Sequence, residues 1–507
     1  VSLALFVLAA PPALTADPKA EVSAPRQTLS LPDLVRDALR TNLAYQSARV
    51  SAQSVETGVL AAQGAFDPLL QASPSYSRGA TNLLLQPDVT TSGTQTGRAL
   101  FVGVAGTLPI STLYSAYLDH FWQNQDNPAI ATMGQNQPSA STSLTLTLSQ
   151  PVLRGAGPAY AKAPLSIAKL AARSAEERLD RSMEQTIAGV ESAYWTLGLS
   201  EAIERLSHDS HQRAEDLLNR NQKMRALALI SDVDLITSRR AVQARLTSLT
   251  EASRRRQDAA DQLLFFVYGD TAASKFPDLA SSRTEPPPSA ASQISPSANF
   301  DSLALDQRSD IKAFQLEVQQ ASISEMVARN AILPDVFLTG SLIAQTRETD
   351  AFRLFTNSRA GDTESSDWRI GITFSYPLSN RTAKASYQKS VWDSRSRSLA
   401  LATAETSVRT EVRTAARAVN ANALRLEQAQ LSFDLARQQY EAGQKQLQLG
   451  LIDSFRLLQM EDDITTAELV LVQVKYDLAQ AITSYELATG TIKQKYPPAR
   501  DETPGKP

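Results

Sequence analysis

The chain of 507 residues contains no cysteine. That excludes disulfides, thiolate metal sites, a cysteine nucleophile and a lipid-anchored amino-terminal cysteine. It has only three histidines, and no HExxH, Ser–His–Asp order or glycine-rich phosphate loop accompanies them. We therefore expect no enzymatic chemistry, no cofactor and no metal. The five methionines are scattered, which does not support a methionine-lined metal path. Aromatic residues are few, at 6%, and the net charge of −3 gives no reason to expect nucleic acid. Nor is there any run of 18 or more apolar residues, so no helix can span a membrane, and a membrane crossing would have to use strands.

What the chain does have is Ala, Ser, Gln, Leu and Thr, a composition suited to long helices and polar strands. Val1 to Ala16 resembles the apolar core and cleavage end of a secretory signal, without the basic start. Residues 17–28 are a polar lead. A helix is expected from Leu31 to Gly64, stopped by Phe66-Asp67-Pro68 because proline disfavours helix in the residue before it. From Leu69 to Pro151 the period becomes two: Leu100, Val102, Val104, Gly106 and Leu108 alternate with small or polar residues, as do Leu144, Leu146 and Leu148. Residues 79–97 and 123–141 read as polar loops. A long helix (160–227), a turn with Ser231 or Asp232 as N-cap, and a helix ending at Gly269 follow. Residues 270–302 form a Pro/Ser-rich linker.

The order then repeats. A helix over 303–331 ends at Leu333-Pro334-Asp335, and a β region covers 335–377. Its clearest strand alternates Trp368, Ile370, Ile372, Phe374 and Tyr376 against Arg369, Gly371, Thr373 and Ser375. A proline-free rod over 382–449 carries a heptad seam: Val412, Val419, Leu426, Phe433, Tyr440, Leu447, alternating with Ala415, Asn422, Ala429, Ala436 and Gly443. At about 1.5 Å per residue it is on the order of 100 Å long. A turn at Leu449-Gly450-Leu451 leads to a last helix, 454–488, and a loose polar tail is expected from Lys493. The domains are thus a first structural repeat, 29–269, and a second, 303–490, with 491–507 as the tail. About four strands per chain follow. An additional alternating pair, 100–110 and 113–122, leaves open an extracellular hairpin or a higher strand count. Runs of 9–10 residues match a tilted strand crossing a bilayer, and several chains would be needed to close a barrel. Tyr76, Tyr114, Tyr117, Trp122, Trp368 and Tyr376 suit interfacial girdles. His208 and His211, Arg254-Arg255-Arg256 and Glu461-Asp462-Asp463 all read as solvated helix surface.

This ordered set, with proline at the β junctions, resembles the TolC-type outer-membrane efflux family over roughly Leu29 to Gly490. The resemblance implies a mainly α fold with a transmembrane β part: a duplicated helix–β hairpin–long helix–helix repeat, built into a trimeric α-helical tunnel capped by a 12-stranded β-barrel. It implies a homotrimer in outer-membrane lipid that passively conducts substrates for a tripartite efflux or type I secretion system. Its partners would be a periplasmic adaptor (membrane fusion) protein and an inner-membrane efflux pump or ABC transporter. Leu449, Gly450 and Leu451 match the family's adaptor-gripped tip, and Leu227, Ala228 and Leu229 take that place in the first repeat. Asp232, Asp234, Asp453 and Arg456 fall where the family's periplasmic gate lies. Arg456 stands where an acidic residue is expected, which leaves two readings open in place of a purely acidic ring: a mixed Arg/Asp constriction held shut by ion pairs between protomers, or an Arg456 that faces solvent on its helix. The alternative is a soluble periplasmic coiled-coil scaffold or adaptor without channel activity.

Overall fold

The computed structural model describes residues 30–86, 89–126, 139–227, 230–269, 284–287, 304–346 and 365–496. The expected signal, the polar lead, most of the linker, Ala228, Leu229 and the end of the tail lie outside these residues. The chain divides into two compact units, each with its own core.

The first unit draws on Val1–Thr41, Gly189–Ala291 and Asn422–Gln480. It contains helix α1 (Leu31–Thr41), the later part of α3 (Ala163–Ala226), α4 (Asp232–Tyr268), the later part of α6 (Arg381–Gln448) and most of α7 (Ser454–Thr489). Heptad positions make its core. Leu426 and Phe433 of α6 pack on the buried trio Ala429, Leu471 and Val474, and Tyr440 joins Leu217, Leu447 and Leu457. Helix α1 is pinned to α4, where the Thr41 hydroxyl donates to the Val267 carbonyl at 2.6 Å and the Tyr268 hydroxyl to Asp37 at 2.6 Å. In the stretch expected to be an irregular linker, residues 284–287 are anchored: Thr284 donates twice to Glu201, and the Glu285 amide donates to Tyr194.

The second unit draws on Asn42–Ala188, Ser292–Ala421 and Ala481–Pro507. It holds α2 (Leu43–Gln63), the start of α3, α5 (Ser309–Asn330), the earlier part of α6, the end of α7 and a sheet. The helix expected over 31–64 is two helices, because the Asn42 side chain accepts the Tyr45 amide at 3.0 Å and caps a new start. Seam residues Val408 and Val412 pack on Ala304, Ile311 and Ala488. Exposed threonines along α6, Thr403, Thr406 and Thr410, donate back to carbonyls four residues earlier, so each hydroxyl finds a partner on its own helix. The tail does not start loose at Lys493. Ile492 is fully buried, and the Lys493 ammonium sits 3.3 Å from Asp180 and 3.7 Å from the buried Glu184.

The sheet bears on the strand count that the sequence left open between about four and more. Among the described residues one antiparallel sheet holds six strands in sequence order: β1 (Leu69–Gln86), β2 (Val89–Thr107), β3 (Leu113–Asp126), β4 (Ser139–Pro151), β5 (Asp335–Thr346) and β6 (Ser365–Ser375). The polar segments 79–86 and 89–97, read as loop, continue β1 and β2 because their backbones pair directly, Gly79 with Gln95 and Ala80 with Thr94.

Candidate functional site: a two-sided sheet and the paired helix-end turns

The strand register puts one chemistry on each face. Leu70 pairs with Val104, Val104 with Ala116, Ala116 with Leu146, Leu146 with Leu342 and Leu342 with Trp368. Since side chains alternate sides along a strand, each residue two positions from these shares their face. Ala72, Pro74 and Tyr76 therefore stand with Leu100, Val102, Leu118, Leu144, Leu148, Leu338, Ile370, Ile372 and Phe374. The opposite face carries Gln71, Ser73, Ser75, Asp119, Thr145, Thr147, Ser341 and Arg369. The apolar face is bare: Trp368, Ile370, Ile372 and Phe374 are 75%, 69%, 73% and 67% exposed. A contiguous apolar surface of this extent does not suit water. At 11 to 19 residues, every described strand reaches or exceeds the 9–11 or so that a tilted strand needs to cross a bilayer.

Among the expected girdle residues, Tyr76, Tyr114, Trp122 and Trp368 stand on the apolar face, where the Arg98 guanidinium lies 5.1 Å from the Trp122 ring centre. Tyr117 does not. The two-residue period places it on the polar face, paired across from Gly103, where its ring meets Phe101 at 4.7 Å. A side chain at position 103 would collide with that ring, so glycine is what lets Tyr117 lie across the strand and fix the β2–β3 register. Among the described residues, no helix is long and apolar enough to cross a membrane.

The second feature lies in the helical unit, where α3 gives way to α4 and α6 to α7. Gly450 has φ +75°; its amide donates to the Leu447 carbonyl and the Leu451 amide to the Gln446 carbonyl, closing α6 in a Schellman turn. Leu227, Leu449 and Leu451 are bare apolar residues on these turns, about 70% exposed. The expected gate residues all engage their own chain. Asp232 takes a two-point ion pair from Arg225 at 2.6 and 3.0 Å. Asp234 closes a capping box with Ser231. Asp453 accepts the Arg456 amide at 2.8 Å, and the Arg456 guanidinium donates to Gln459 at 3.1 Å rather than to an acid.

Sequence reasoning missed what ties the two turns together. Asn221 of α3 is 1% exposed; its amide donates to Ser238 of α4 at 2.7 Å and its carbonyl accepts from Ser454 of α7 at 3.1 Å. One side chain thus bridges three helix ends. The Glu461-Asp462-Asp463 run is also not simply solvated surface. Glu461 is 2% exposed with Arg213 3.6 Å away, and burial pushes its carboxyl above the usual glutamate range, only partly offset by Arg213 and Arg245. Asp462 forms an ion pair with Arg245. His208 and His211 lie beside Asp209 and Glu215, and among the described residues no cluster has a metal ligand set. Arg254 and Arg255 share Glu251, which they hold down at about 2.

Residues 302–491 match the family model of outer membrane efflux proteins. No curated protein sequence matches the chain. Among solved structures, the outer membrane channel CmeC of Campylobacter jejuni is 16% identical, covering 93% of this chain and 90% of that one, with a TM-score of 0.63. The outer membrane protein VceC of Vibrio cholerae is 15% identical over 91% and 96%, at 0.63. The open MtrE channel of Neisseria gonorrhoeae is 16% identical over 91% and 88%, at 0.61. Residues 302–491 are thus an outer membrane efflux protein domain, within a chain that has the fold of TolC-type outer-membrane channels.

Proposed function

We propose that this chain is the outer-membrane subunit of a tripartite efflux or type I secretion system. It gives substrates a passive, water-filled path from a periplasmic helical tunnel to the exterior. The observation that carries the reading is the sheet's apolar row, Leu70, Val104, Ala116, Leu146, Leu342 and Trp368, which crosses all six described strands, with polar residues such as Gln71, Thr147, Ser341 and Arg369 on the other side. In hydrocarbon every backbone donor and acceptor must be paired, so such a sheet is stable only as part of a closed wall. One chain does not close it, and copies of the chain do, which agrees with a homotrimer. Helix α2 supports the same conclusion: it has no buried residue and exposes Leu43, Val50 and Leu60.

The helix-end turns are the docking and gating end in this reading. Leu227, Ala228, Leu229, Leu449, Gly450 and Leu451 offer an apolar grip to a periplasmic adaptor, which links the channel to an inner-membrane pump or ABC transporter. Asp232, Asp234, Asp453 and Arg456 line the constriction. Replacing Arg456 with Ala raises single-channel conductance if its guanidinium narrows that opening, and unchanged conductance removes it from the gate. The wider reading is tested by separating membranes from soluble fractions and then crosslinking. Detergent-extractable trimers in the outer membrane support it, and soluble monomers refute it in favour of a periplasmic coiled-coil scaffold.

A further inference from the structure

We infer that the membrane wall contains eighteen strands, six from each of three copies, and so bores an exit of general-porin width. This rests on the outer-membrane reading above and replaces the twelve strands expected from the resemblance.

Two independent observations put the additional pair, β2 and β3, inside the wall. First, two successive apolar rows of the face, Val104 with Ala116 and Val102 with Leu118, cross them. Val102 is paired between Ala72 and Leu118, and Leu118 in turn with Leu144, with Asp119, Phe101 and Ser143 on the other side. An exposed extracellular hairpin has no reason to keep that alternation in step with its neighbours. Second, the β2–β3 turn returns to the base of the sheet. The Leu108 amide donates to the Thr112 carbonyl at 2.8 Å, the Ser111 hydroxyl to the Gly157 carbonyl at 3.1 Å, and the Thr112 hydroxyl to Gln150. Gln150 and Gly157 flank the point where the chain leaves β4 for α3, and Ser111 and Thr112 are buried there. Both strands therefore run the full height of the wall.

Among the described residues, β2 to β5 are paired on both sides, and one edge of β1 and one of β6 are open. These edges carry the same two-faced pattern, so β6 of one copy meets β1 of the next with apolar side on apolar side. Pro74 withholds one donor from the β1 edge, a loss confined to that position. Antiparallel closure by repetition gives a strand count that is a multiple of six. With strands about 4.8 Å apart and tilted by about 40°, eighteen give a wall roughly 36 Å across, against roughly 24 Å for twelve. Barrels of 16–18 strands enclose an aqueous channel rather than a filled core. The membrane segment is then no filter, and selection by size belongs to the helix-end turns.

The absence of cysteine makes the test clean. Full-length Val102→Cys, Leu118→Cys and Ile370→Cys, each carrying one fluorophore, are reconstituted with brominated phospholipid, and the mass of the assembly is measured. Quenching of all three probes to a similar extent, in an assembly of three copies, is the expected result. Quenching at Ile370 alone places β2 and β3 outside the lipid and overturns eighteen strands while leaving the channel intact. An assembly of two copies overturns it as well. Absence of quenching at Ile370 overturns the outer-membrane reading itself. A Ser73→Cys, Thr373→Cys pair, with Gln71→Cys and Ser75→Cys as register alternatives, should give covalent trimers through β6–β1 disulfides, and no crosslink at any of the three registers contradicts the closure.

Discussion

At the scale of single residues, the turn and the buried polar groups carry the sharpest expectations. Gly450 is held at φ +75° with open space where a side chain would point. Gly450→Ala therefore meets only backbone strain, costing about 1–2 kcal/mol, and hydrogen exchange at the end of α6 accelerates by roughly tenfold. Glu461 gives a pH signature. Its folded-state pKa lies above the ordinary 4.5, so the folded protein binds more protons than the unfolded one, and stability falls as pH rises from about that value through the raised one. Glu461→Gln removes the charge while keeping the shape. It should raise the thermal midpoint at pH 7.5 and flatten this part of the pH dependence; a lowered midpoint at pH 7.5 would show that the Arg213 attraction outweighs desolvation. These positions also show what sequence can and cannot reveal. Gly450 between two leucines after a proline-free rod announces a helix stop. Asn42, Asn221 and Glu461 are ordinary surface-type residues in a polar helical context, and only the packing of other helices around them makes them a cap, a bridge and a buried acid.

Elements were legible where one period ran long enough. The strand Ser365–Ser375 and the rod Arg381–Gln448 match their expected positions, because five alternating large apolar residues and six seam positions at heptad spacing each leave one solution. Strand β1 was illegible for a physical reason: one face reads Leu70, Ala72, Pro74, Tyr76, Arg78, and its far half runs Gly-Ala-Thr-Asn and then three consecutive leucines with no alternation, so only pairing with β2 reveals it. The two faces of the sheet make a substitution pair. Ile370→Arg on the apolar face should cost about 2–4 kcal/mol of folding into a bilayer, whereas Thr373→Arg on the polar face should change it by less than about 1 kcal/mol. Urea titration of the protein refolded into liposomes checks both, and equal costs would mean that lipid does not cover that face. Among the helices, Asn221→Ala leaves Ser238 and Ser454 without their shared partner, a loss of about 1–3 kcal/mol at the junction of α3, α4 and α7. Faster hydrogen exchange confined to these three helix ends is the expected readout.

At the scale of the whole molecule, each unit offers one thing the other does not: a sheet with an apolar row on one side and polar residues on the other, and helices whose turns are tied by a few polar contacts. The strand count was the part of the architecture that the sequence left open. Alternation marked the additional pair, but only the anchoring of Ser111 and Thr112 at the base of β4 shows that these strands span the sheet. In the proposed channel a water-filled duct crosses a membrane and is held shut at the helix-end turns. Single-channel recording in planar bilayers tests it directly, with the intact protein compared against Asn221→Ala. The expected result is stepwise conductance that is small and brief for the intact protein, and at least severalfold larger or longer-lived once the bridge between the turns is gone. No conductance from either, with the protein demonstrably inserted in the bilayer, would contradict the duct.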